Sequence, residues 1–463
     1  MKKIIIMILM ILSASTTFAE TKVHDKPVWS RTSEAATSNE NAEENTNDDS
    51  DSNTSDKSDS DTNFIKNPDS NDNSAKDSEQ EVYLPPMDLP PMNTKSPDDD
   101  SQVEQTNIPD YSLPDTKTEP STPPEEKQQP QIEEVEGLEF IVVHRDGIMA
   151  FAIIADHEKY LLKPVLARDK VPGRATVKSM SDEYNAIAAV NASYFALSGE
   201  ILGNTKIDGL VAGTTYFTRS TMGINDDGST FFGKSAYYGK VTIDGASIDI
   251  GGVNSERGAD SAVIYNMYQG ATTGTNDFGV EYVVENGIIS AIYTEHGNNA
   301  IPSNGFIVSA HGKAAELFKN AQIGDSVTFD ESIINVDDTG DFDNAIQVIG
   351  AGPRLVKDSN IYVTVNEEQF PNDIKIGRAP RTAVGVTKYG DYILAVVDGR
   401  QAHSKGCTLQ EWASILLNDF GAVNAINLDG GGSTELVVKG SLVNSPSDGY
   451  ERPVGDSLIL IRK

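Results

Sequence analysis

Cysteine is nearly absent from this sequence of 463 residues, in which Cys407 is the only one. An internal disulfide is therefore impossible, so a domain of this chain must rely on its hydrophobic core. Histidine is also scarce, with 6 residues, and no group of histidines and cysteines has the spacing of a zinc site. The two shortages exclude a disulfide scaffold and a zinc-finger fold.

Basic residues are outnumbered: 37 lysines and arginines face 70 aspartates and glutamates, which gives a net charge of −33 at pH 7. Nucleic acids and anionic membrane surfaces are themselves negative, so this charge argues against both as partners. Long apolar runs are equally rare. Ile4–Leu12 is the main candidate, and it is too short to span a bilayer comfortably.

The N-terminal run predicts a secretory signal peptide, residues 1–19. Lys2 and Lys3 precede the apolar segment, and residues 17–19 supply a cleavage site with small side chains. No cysteine lies near this cut, which argues against a lipid-anchored lipoprotein. We expect a secreted, extracellular or cell-envelope protein. The alternative is a signal that stays uncleaved as a membrane anchor.

Residues 20–136 are dominated by Asn, Asp, Ser and Glu, and further on by Pro. This composition cannot bury enough apolar surface to offset the entropy of ordering the chain. We predict a disordered stalk that is acidic at first and stiffer where proline is dense. Its simplest role is a spacer through a cell wall. The alternative is that a partner recognises YLPPMDLPPM, residues 83–92.

A globular domain is predicted for residues 137–463, where no second stretch of that composition occurs. Residues 137–157 alternate like a β-hairpin with Asp146 and Gly147 at the turn, and residues 220–232 predict another hairpin. Strand patterns outnumber helical ones. The prediction is an α+β fold, a β-rich mixed-sheet globular domain with few helices, preceded by the disordered stalk. The predicted helices are residues 181–186, 313–320 and 408–420.

Two similar apolar runs organise this domain. Ile393–Arg400 ends in Asp398-Gly, and Ala425–Ser433 contains Asp429-Gly. Both runs are short, rich in branched residues and bounded by turn residues, which predicts buried strands. Each strand therefore places an aspartate on a glycine turn that a substrate can approach.

A helix is predicted between these strands, because Thr408 and Glu411 form a capping box ahead of apolar residues at helical spacing. Gly421 is expected to close it. The strand–helix–strand unit is long enough for a parallel crossover, in which the loops after both strands gather at one edge. We therefore expect a convergence of four side chains, those of Asp398, Arg400, Asp429 and Ser433.

An ordered set of motifs resembles the phosphodiester glycosidase family. The set covers about residue 137 to the C-terminus and is far more specific than a lone Asp-Gly-Gly-Gly. It consists of NASYF (Asn191–Phe195), GAGPRLV (Gly350–Val356), RTAVGV (Arg381–Val386), VVDGR (Val396–Arg400), SKGCTL (Ser404–Leu409), NLDGGGST (Asn427–Thr434), Val443-Asn444 and RPV (Arg452–Val454).

The resemblance implies a hydrolase that cleaves a sugar-1-phosphodiester at the anomeric carbon and releases a phosphomonoester. Phosphate is a good leaving group, so electrostatic stabilisation matters most, and Arg381 and Arg400 suit bidentate phosphate binding. Asp398 and Asp429 are the implied catalytic carboxylates, and the amides of residues 430–433 are a candidate anion nest. The other implied substrate contacts are Asn191, Tyr194, Thr382, Ser404, Asn427, Gly430, Gly431, Gly432, Ser433, Thr434, Asn444 and Arg452.

Several residues keep two interpretations. Asn191 and Tyr194 hold sugar hydroxyls or form a polar turn, since Ala192-Ser193 replaces the family's usual Gly-Gly. Each catalytic aspartate could instead cap its own glycine turn. His403 is a general acid or base, or a solvated loop residue. Cys407 precedes a helix, where a thiol can be activated, but the family usually has Met there, which favours a buried apolar role.

No metal is expected in the site. Residues 331–344 hold four aspartates and are a candidate calcium segment, without the ligand spacing and central glycine of an EF-hand. The predicted function is a secreted or cell-surface glycosidase that hydrolyses a sugar-1-phosphodiester bond in an envelope or extracellular glycan, with a phosphoglycan or glycolipid as substrate. The alternatives are a non-catalytic module that binds anionic polysaccharide, and a metal-dependent phosphoesterase that cuts the P–O bond.

Overall fold

Four β-sheets and four short helices form the described part of the chain. The computed structural model describes residues 134–463 apart from 216, 338 and 339. The predicted signal peptide, the YLPPMDLPPM segment and all but the last residues of the predicted stalk lie outside the described residues. The predicted β-rich α+β fold with few helices is confirmed. No described helix has the length and apolar character needed to cross a membrane.

The elements follow one another in chain order. The helices are α1 (Val177–Glu183), α2 (Lys313–Leu317), α3 (Asn372–Lys375) and α4 (Leu409–Asn418). The first strands are β1 (Leu138–Arg145), β2 (Ile148–Ala155), β3 (Tyr160–Leu166), β4 (Ala188–Asn191), β5 (Thr205–Ile207), β6 (Leu210–Gly213), β7 (Arg219–Ile224), β8 (Thr230–Ile243), β9 (Ala246–Asp249), β10 (Ala262–Tyr265), β11 (Val280–Glu285) and β12 (Ile288–Thr294). The later strands are β13 (Gly305–Ala310), β14 (Val327–Asn335), β15 (Gln347–Gly350), β16 (Arg354–Lys357), β17 (Asn360–Ile361), β18 (Arg381–Thr387), β19 (Tyr392–Val397), β20 (Ala422–Asn427), β21 (Leu436–Val438), β22 (Ser441–Leu442) and β23 (Asp456–Arg462).

The strands are distributed over four sheets. The first, here called the main sheet, has the order β1-β2-β19-β18-β20-β16-β17. A five-stranded sheet has the order β22-β21-β4-β23-β3, and a four-stranded one the order β10-β13-β11-β12. The last, here called the side sheet, has the order β14-β8-β7-β15-β5-β6, with β9 on β8. Paired strands within these sheets run antiparallel, and the one parallel contact among the described residues is an isolated bridge, Val253–Ile264.

The predicted crossover between β19 and β20 exists in a split form. Both strands pair antiparallel with β18, so they run in the same direction with one strand between them. β18 can take this central place because all but the last of its residues are buried. The ends of β19 and β20 therefore point to one edge of the main sheet, which brings their aspartates together.

Local sequence signals explain the best-predicted elements. Both hydrogen bonds of the Thr408–Glu411 capping box are present at the start of α4, and Gly421 follows the helix with a left-handed φ of 72°. The Asp146-Gly147 turn has φ values of 52° and 68°, as a two-residue hairpin turn requires. The two other predicted helices are confirmed as α1, which starts four residues earlier, and α2.

The hydrophobic core lies on both faces of the main sheet. On one face, Trp412 and Leu416 of α4 and Phe420 just after it pack against the sheet's small residues, among them Ala152 and Ala395. On the other face, a single cluster joins the main sheet to the five-stranded sheet and to β7, β8 and β15 of the side sheet. The edge that carries the aspartates is therefore held by three sheets at once.

The first described residues are tied to this core. Val135 is 7% exposed and belongs to the central cluster, and the Glu136 carbonyl accepts a hydrogen bond of 2.8 Å from the Tyr160 hydroxyl. We expect a chain starting at Glu134 to be as stable as the full chain. A chain starting at Leu138 should lose on the order of 2 kcal/mol, because a buried valine is removed. Urea denaturation of the three proteins measures this, and equal midpoints would contradict it.

Candidate active site

Asp398 lies directly after β19 and is 1% exposed. Its Oδ1 atom accepts hydrogen bonds from Asn444 Nδ2 (3.0 Å) and the Ser445 amide (2.9 Å). Its main-chain oxygen accepts one from Ser404 Oγ, at 2.6 Å. These bonds hold the carboxylate in one orientation. A carboxylate enclosed in this way is placed to act through a neighbour rather than on a substrate directly.

That neighbour is His403, whose Nε2 lies 3.0 Å from Asp398 Oδ2. The histidine side chain is 43% exposed, so one end of the pair is buried and the other meets solvent. A carboxylate partner fixes the orientation and tautomer of an imidazole ring. Of the two interpretations of His403, the structure favours the acid or base, because an unattached loop histidine would lack this partner.

Asp429 follows β20 by two residues and keeps part of its surface open to solvent. Its backbone is fixed by the NASYF segment: its amide donates to the Ala192 carbonyl (2.9 Å), and its carbonyl accepts from Asn191 Nδ2 (2.6 Å). Its Oδ1 accepts the Gly430 amide at 2.8 Å. The aspartate does cap its own glycine turn, as the alternative interpretation held, and the residue as a whole is half-buried.

Burial raises the pKa of Asp429 to about 6, against the opposing effects of hydrogen bonds from Ser433 and the Gly430 amide and of the charge on Arg452. A carboxyl with a pKa near the working pH is present in both protonation states, which suits general acid–base chemistry. Asp429 is therefore the carboxyl best placed to touch a reacting group.

The glycine turn after Asp429 is tightly packed. A side chain at Gly430 would lie 2.9 Å from the Pro380 carbonyl, and one at Gly432 would collide with the ion pair of Arg452 and Asp448. Gly431 has a left-handed φ of 63°. The predicted anion nest is largely occupied, because the amides of residues 430, 431 and 433 donate to Asp429, Pro380 and Gly430.

Most other predicted substrate contacts are buried and bonded to protein. Asn191 is 1% exposed; its Oδ1 accepts from Thr382 Oγ1 (2.7 Å) and the Glu435 amide (3.2 Å), so it positions Asp429 instead of a sugar hydroxyl. Asn444 links Asp398 to the Thr434 carbonyl. Asn427, Ser404, Ser433 and Thr434 are likewise buried. The predicted residues thus belong to one hydrogen-bonded network. Most of them are buried and hold other residues of the network in place.

Three arginines approach this network. Arg400 is exposed, and a side chain at Gly431 would lie 3.3 Å from its Nη1. Arg381 is 4% exposed and donates to three carbonyls, those of Cys407, Ile374 and Gly377, while burial lowers its pKa. Arg452 is paired with Asp448 (2.6 Å). Arg400 and Arg381 have no carboxylate partner among the described residues, whereas Arg452 is paired with Asp448 beside the glycine turn; phosphate binding by Arg400 and Arg381 stays a prediction.

Tyr194 lies between these groups. Its hydroxyl donates to the Gly352 carbonyl (3.0 Å) and accepts from Asn427 Nδ2 (3.1 Å), and the charges of Asp429 and Arg381 both act on it. Tyr194 is partly exposed, so its ring can contact a sugar while its hydroxyl is held by protein. This retains the predicted substrate contact for Tyr194 through its ring.

The sequence analysis missed two buried acids beside the network, Glu435 and Asp456. Burial raises the pKa of Glu435 to about 8 and that of Asp456 to about 6. Glu435 accepts the Arg452 amide (2.7 Å), and Asp456 accepts the Ser193 amide (2.8 Å). One indication in the sequence pointed to burial of Glu435, since it is a single acidic residue directly before an apolar strand. Asp456 had none, because an acid at a strand start is common.

Glu435 yields a pH-dependent prediction. Its pKa is 4.5 without burial and about 8 in the fold, so the folded state holds a proton that the unfolded state releases between these values. Stability should therefore fall as pH rises from 4.5 to 8, with a slope of about 1.4 kcal/mol per pH unit from this group. In E435Q this contribution should vanish. Denaturation at several pH values, with the exposed-site variant E158Q as control, measures it; parallel curves for E435Q and wild type would contradict it.

Cys407 and the candidate metal segment have structural explanations. Cys407 is fully buried, and burial raises the pKa of its thiol to about 12, which agrees with the apolar role. Within residues 331–344, Asp343 accepts hydrogen bonds from the Ile333 amide and Ser332, and Asp337 accepts one from the Lys234 amide. These are bonds of loop-forming aspartates; Asp338 lies outside the described residues.

One group of three ligands among the described residues could hold a metal, formed by Asp156, His157 and Asp391. Asp391 precedes β19 and Asp398 follows it, so the two are roughly 23 Å apart along the strand. The group therefore lies at the other edge of the main sheet, and Asp398 and Asp429 belong to no such group among the residues described.

Comparisons with known proteins give the same family as the sequence motifs. Residues 278–461 match the sequence model of the phosphodiester glycosidase family, which confirms the predicted resemblance. The chain is 33% identical over 181 residues to bovine N-acetylglucosamine-1-phosphodiester alpha-N-acetylglucosaminidase, covering 36% of this chain and 33% of that enzyme. It is 32% identical over 172 residues to the SPbeta prophage-derived uncharacterized protein YomE of Bacillus subtilis, covering 34% of this chain and 26% of that protein.

The fold also occurs in a solved structure, that of a hypothetical protein from Synechocystis. The two share 24% sequence identity with a TM-score of 0.60, over 70% of this chain and 62% of that one. The chain thus matches about a quarter to a third of the length of the curated relatives above. The likeness to the solved structure shows the fold, and residues 278–461 match the model of the phosphodiester glycosidase family.

Proposed function

We propose that this chain, whose residues 278–461 match the model of the phosphodiester glycosidase family, is a secreted or cell-surface hydrolase of a sugar-1-phosphodiester bond. Its substrate would be a phosphoglycan or glycolipid of the envelope, or another extracellular glycan. One observation carries the proposal: an accessible carboxyl, Asp429, lies two residues from the glycine over which Arg400 is placed. An acid–base group beside an available cation fits a glycosidic carbon whose leaving group is a phosphate.

In the proposed reaction a water oxygen bonds to the anomeric carbon while the bond from that carbon to the phosphate oxygen breaks. The water gives up a proton, and the phosphomonoester leaves with the electron pair. Asp429, whose pKa is about 6, and His403, which is 43% exposed, are the groups placed to exchange protons with a bound molecule. Arg400 and Arg381 stabilise the negative charge that develops on the departing phosphate.

Asp398 has a positioning role in this account, because it reaches the substrate only through His403. We expect D398N and H403Q each to lower kcat by about a hundredfold or more. The double variant should be no slower than the slower single variant, since two residues that act as one unit give non-additive losses. Steady-state kinetics of the three proteins test this. Multiplying losses would show that Asp398 acts independently of His403.

The proposed function is tested by the products from a synthetic sugar-1-phosphodiester. Release of free sugar and a phosphomonoester supports it. Release of sugar phosphate would favour the metal-dependent phosphoesterase, and binding without turnover would favour the polysaccharide-binding module. D429N is the matched negative control. Products that this site releases should be lost in D429N, whereas products of a contaminating enzyme should remain.

A further inference from the structure

Three side chains that can ligate a metal meet at the edge of the main sheet opposite the active site. One carboxylate oxygen each of Asp156 and Asp391 and one ring nitrogen of His157 lie within 4.8 Å of one another. Asp156 and His157 belong to the turn between β2 and β3, and Asp391 ends the turn between β18 and β19. Imidazole nitrogen and carboxylate oxygen are both common ligands of Zn²⁺ in proteins.

The register of the main sheet places the two aspartates opposite each other. β2 and β19 pair antiparallel, with the last residue of β2 opposite the first residue of β19. One step further along this register, Asp156 stands opposite Asp391, and like charges at opposite positions destabilise a strand pair. Lys159 Nζ lies 3.6 Å from Asp156 Oδ2 but 3.0 Å from Glu136 Oε1, so its charge is shared with another carboxylate. The two aspartates therefore favour a further cation between them.

Hydrogen bonds within each turn orient the two carboxylates. Asp156 Oδ1 accepts the Glu158 amide at 2.9 Å, and Asp391 Oδ2 accepts the Thr387 hydroxyl at 3.3 Å. In metal sites, the outer hydrogen-bond partners of a ligating carboxylate hold it in this way and leave its other oxygen for the ion. The turns therefore supply both the ligands and the groups that orient them.

The His157 ring is fixed, yet one of its nitrogens has no hydrogen bond. A side chain at Gly390 would lie 3.3 Å from His157 Cε1, and the ring meets the Tyr392 ring edge-on at 6.5 Å. His157 Nδ1 is a buried atom without a hydrogen-bond partner in the part of the chain that the structure describes. It lies 3.5 Å from Asp391 Oδ1, which is longer than an N–H···O hydrogen bond. A buried polar atom left in this state costs free energy unless another group binds it.

The separation of these two atoms suits two ligands of one ion. Zn–N and Zn–O bonds are about 2.1 Å long, which puts two ligands of a tetrahedral Zn²⁺ roughly 3.4 Å apart. The 3.5 Å between His157 Nδ1 and Asp391 Oδ1 is close to this value. Asp156 is the third ligand, and a water molecule can take the fourth tetrahedral position.

We propose that Asp156, His157 and Asp391 form a Zn²⁺ site that fastens the β2–β3 turn to the β18–β19 turn. The bound cation offsets the repulsion between the two aspartates and gives the buried Nδ1 atom a partner. The site lies roughly 23 Å from Asp398 along β19, so it stabilises the far edge of the sheet and takes no part in the reaction. This inference goes beyond the proposed function and does not depend on it.

Calorimetric titration of the full chain with Zn²⁺ tests the site, for wild type, H157A and the control H144A. His144 is exposed and belongs to β1, outside the group of ligands. We expect wild type and H144A to bind Zn²⁺ equally and H157A to bind it at least about tenfold more weakly, because even the loss of an outer partner of a metal ligand costs that much. Zn²⁺ should also raise the Tm of wild type and H144A more than that of H157A, since a ligand of the folded state stabilises it.

Absence of Zn²⁺ binding by the wild type would overturn the inference, and His157 would then offset the aspartates only as a protonated imidazole. Equal affinities of H157A and wild type, or an equal loss in H144A, would also overturn it, because the ion would then bind elsewhere. If H157A does not fold, D391N decides by the same criterion, since asparagine keeps the size of aspartate and loses its charge. No substrate is needed, so failure of the proposed function would be seen separately, as a lack of hydrolysis.

Discussion

Replacement of Asp429 by asparagine is expected to lower kcat by about a hundredfold to ten-thousandfold without unfolding the domain. The asparagine oxygen can still accept the Gly430 amide that now binds Asp429 at 2.8 Å, so the turn is retained. What is lost is the proton that a carboxyl with a pKa of about 6 exchanges. Removing that buried charge also takes away a desolvation cost, so D429N should be at least as stable as wild type at pH 7.

Two measurements check this expectation. Steady-state kinetics should show the fall in kcat, and the limb of the wild-type pH profile near pH 6 should be absent from the residual activity of D429N. D456N is a matched control, because burial raises the pKa of Asp456 to about 6 as well, while that carboxyl is 0% exposed. If D429N keeps a near wild-type kcat, or if the D429N protein unfolds, Asp429 serves to cap its glycine turn and is not catalytic.

Loss of the Arg381 guanidinium is expected to lower kcat/KM on a sugar-1-phosphodiester by about a hundredfold to a thousandfold. Arg381 is buried, and the hydrogen-bond acceptors found for it are carbonyls rather than carboxylates, so its charge is available to a substrate anion. Lysine keeps the positive charge but lacks the planar guanidinium that binds two phosphate oxygens at once, so R381K should keep only part of the wild-type activity.

A structural role of Arg381 must be separated from phosphate binding, because its side chain also donates to the carbonyls of Cys407, Ile374 and Gly377. The ratio of kcat/KM on the phosphodiester to that on an aryl glycoside without phosphate separates the two, since the folded fraction cancels in the ratio. We expect this ratio to fall in R381A, and also in R400A, whose side chain is exposed and whose loss leaves the core untouched. An unchanged ratio in R381A would show that the arginine supports only the fold.

Local interactions made much of the fold predictable. The α4 capping box and the Asp146-Gly147 turn involve residues within a few positions of each other, so their geometry follows from nearby side chains. The convergence of Asp398 and Asp429 followed from the two similar strand ends. The position of β18 between β19 and β20 could not be predicted in this way, because strand order depends on which segment can be buried on both faces.

The sequence alone did not predict which site residues face a substrate and which hold other residues in place, because this depends on contacts between residues far apart in the chain. Asp398 is enclosed by Asn444, 46 residues away, and Asn191 is bound to Glu435, 244 residues away. Burial by such distant contacts decides which polar residue faces a substrate and which holds another in place. No local sequence pattern predicts this burial.

Hydrolysis of a sugar-1-phosphodiester in ¹⁸O-labelled water tests the central claim most directly. If Asp429 and His403 serve attack of water on the anomeric carbon, the phosphomonoester product must contain no label from the solvent, because its bridging oxygen leaves with the phosphorus. Mass spectrometry of that product gives the answer in one turnover. An ¹⁸O atom in the phosphate would mean that the P–O bond is cut, and the glycosidase account would be wrong.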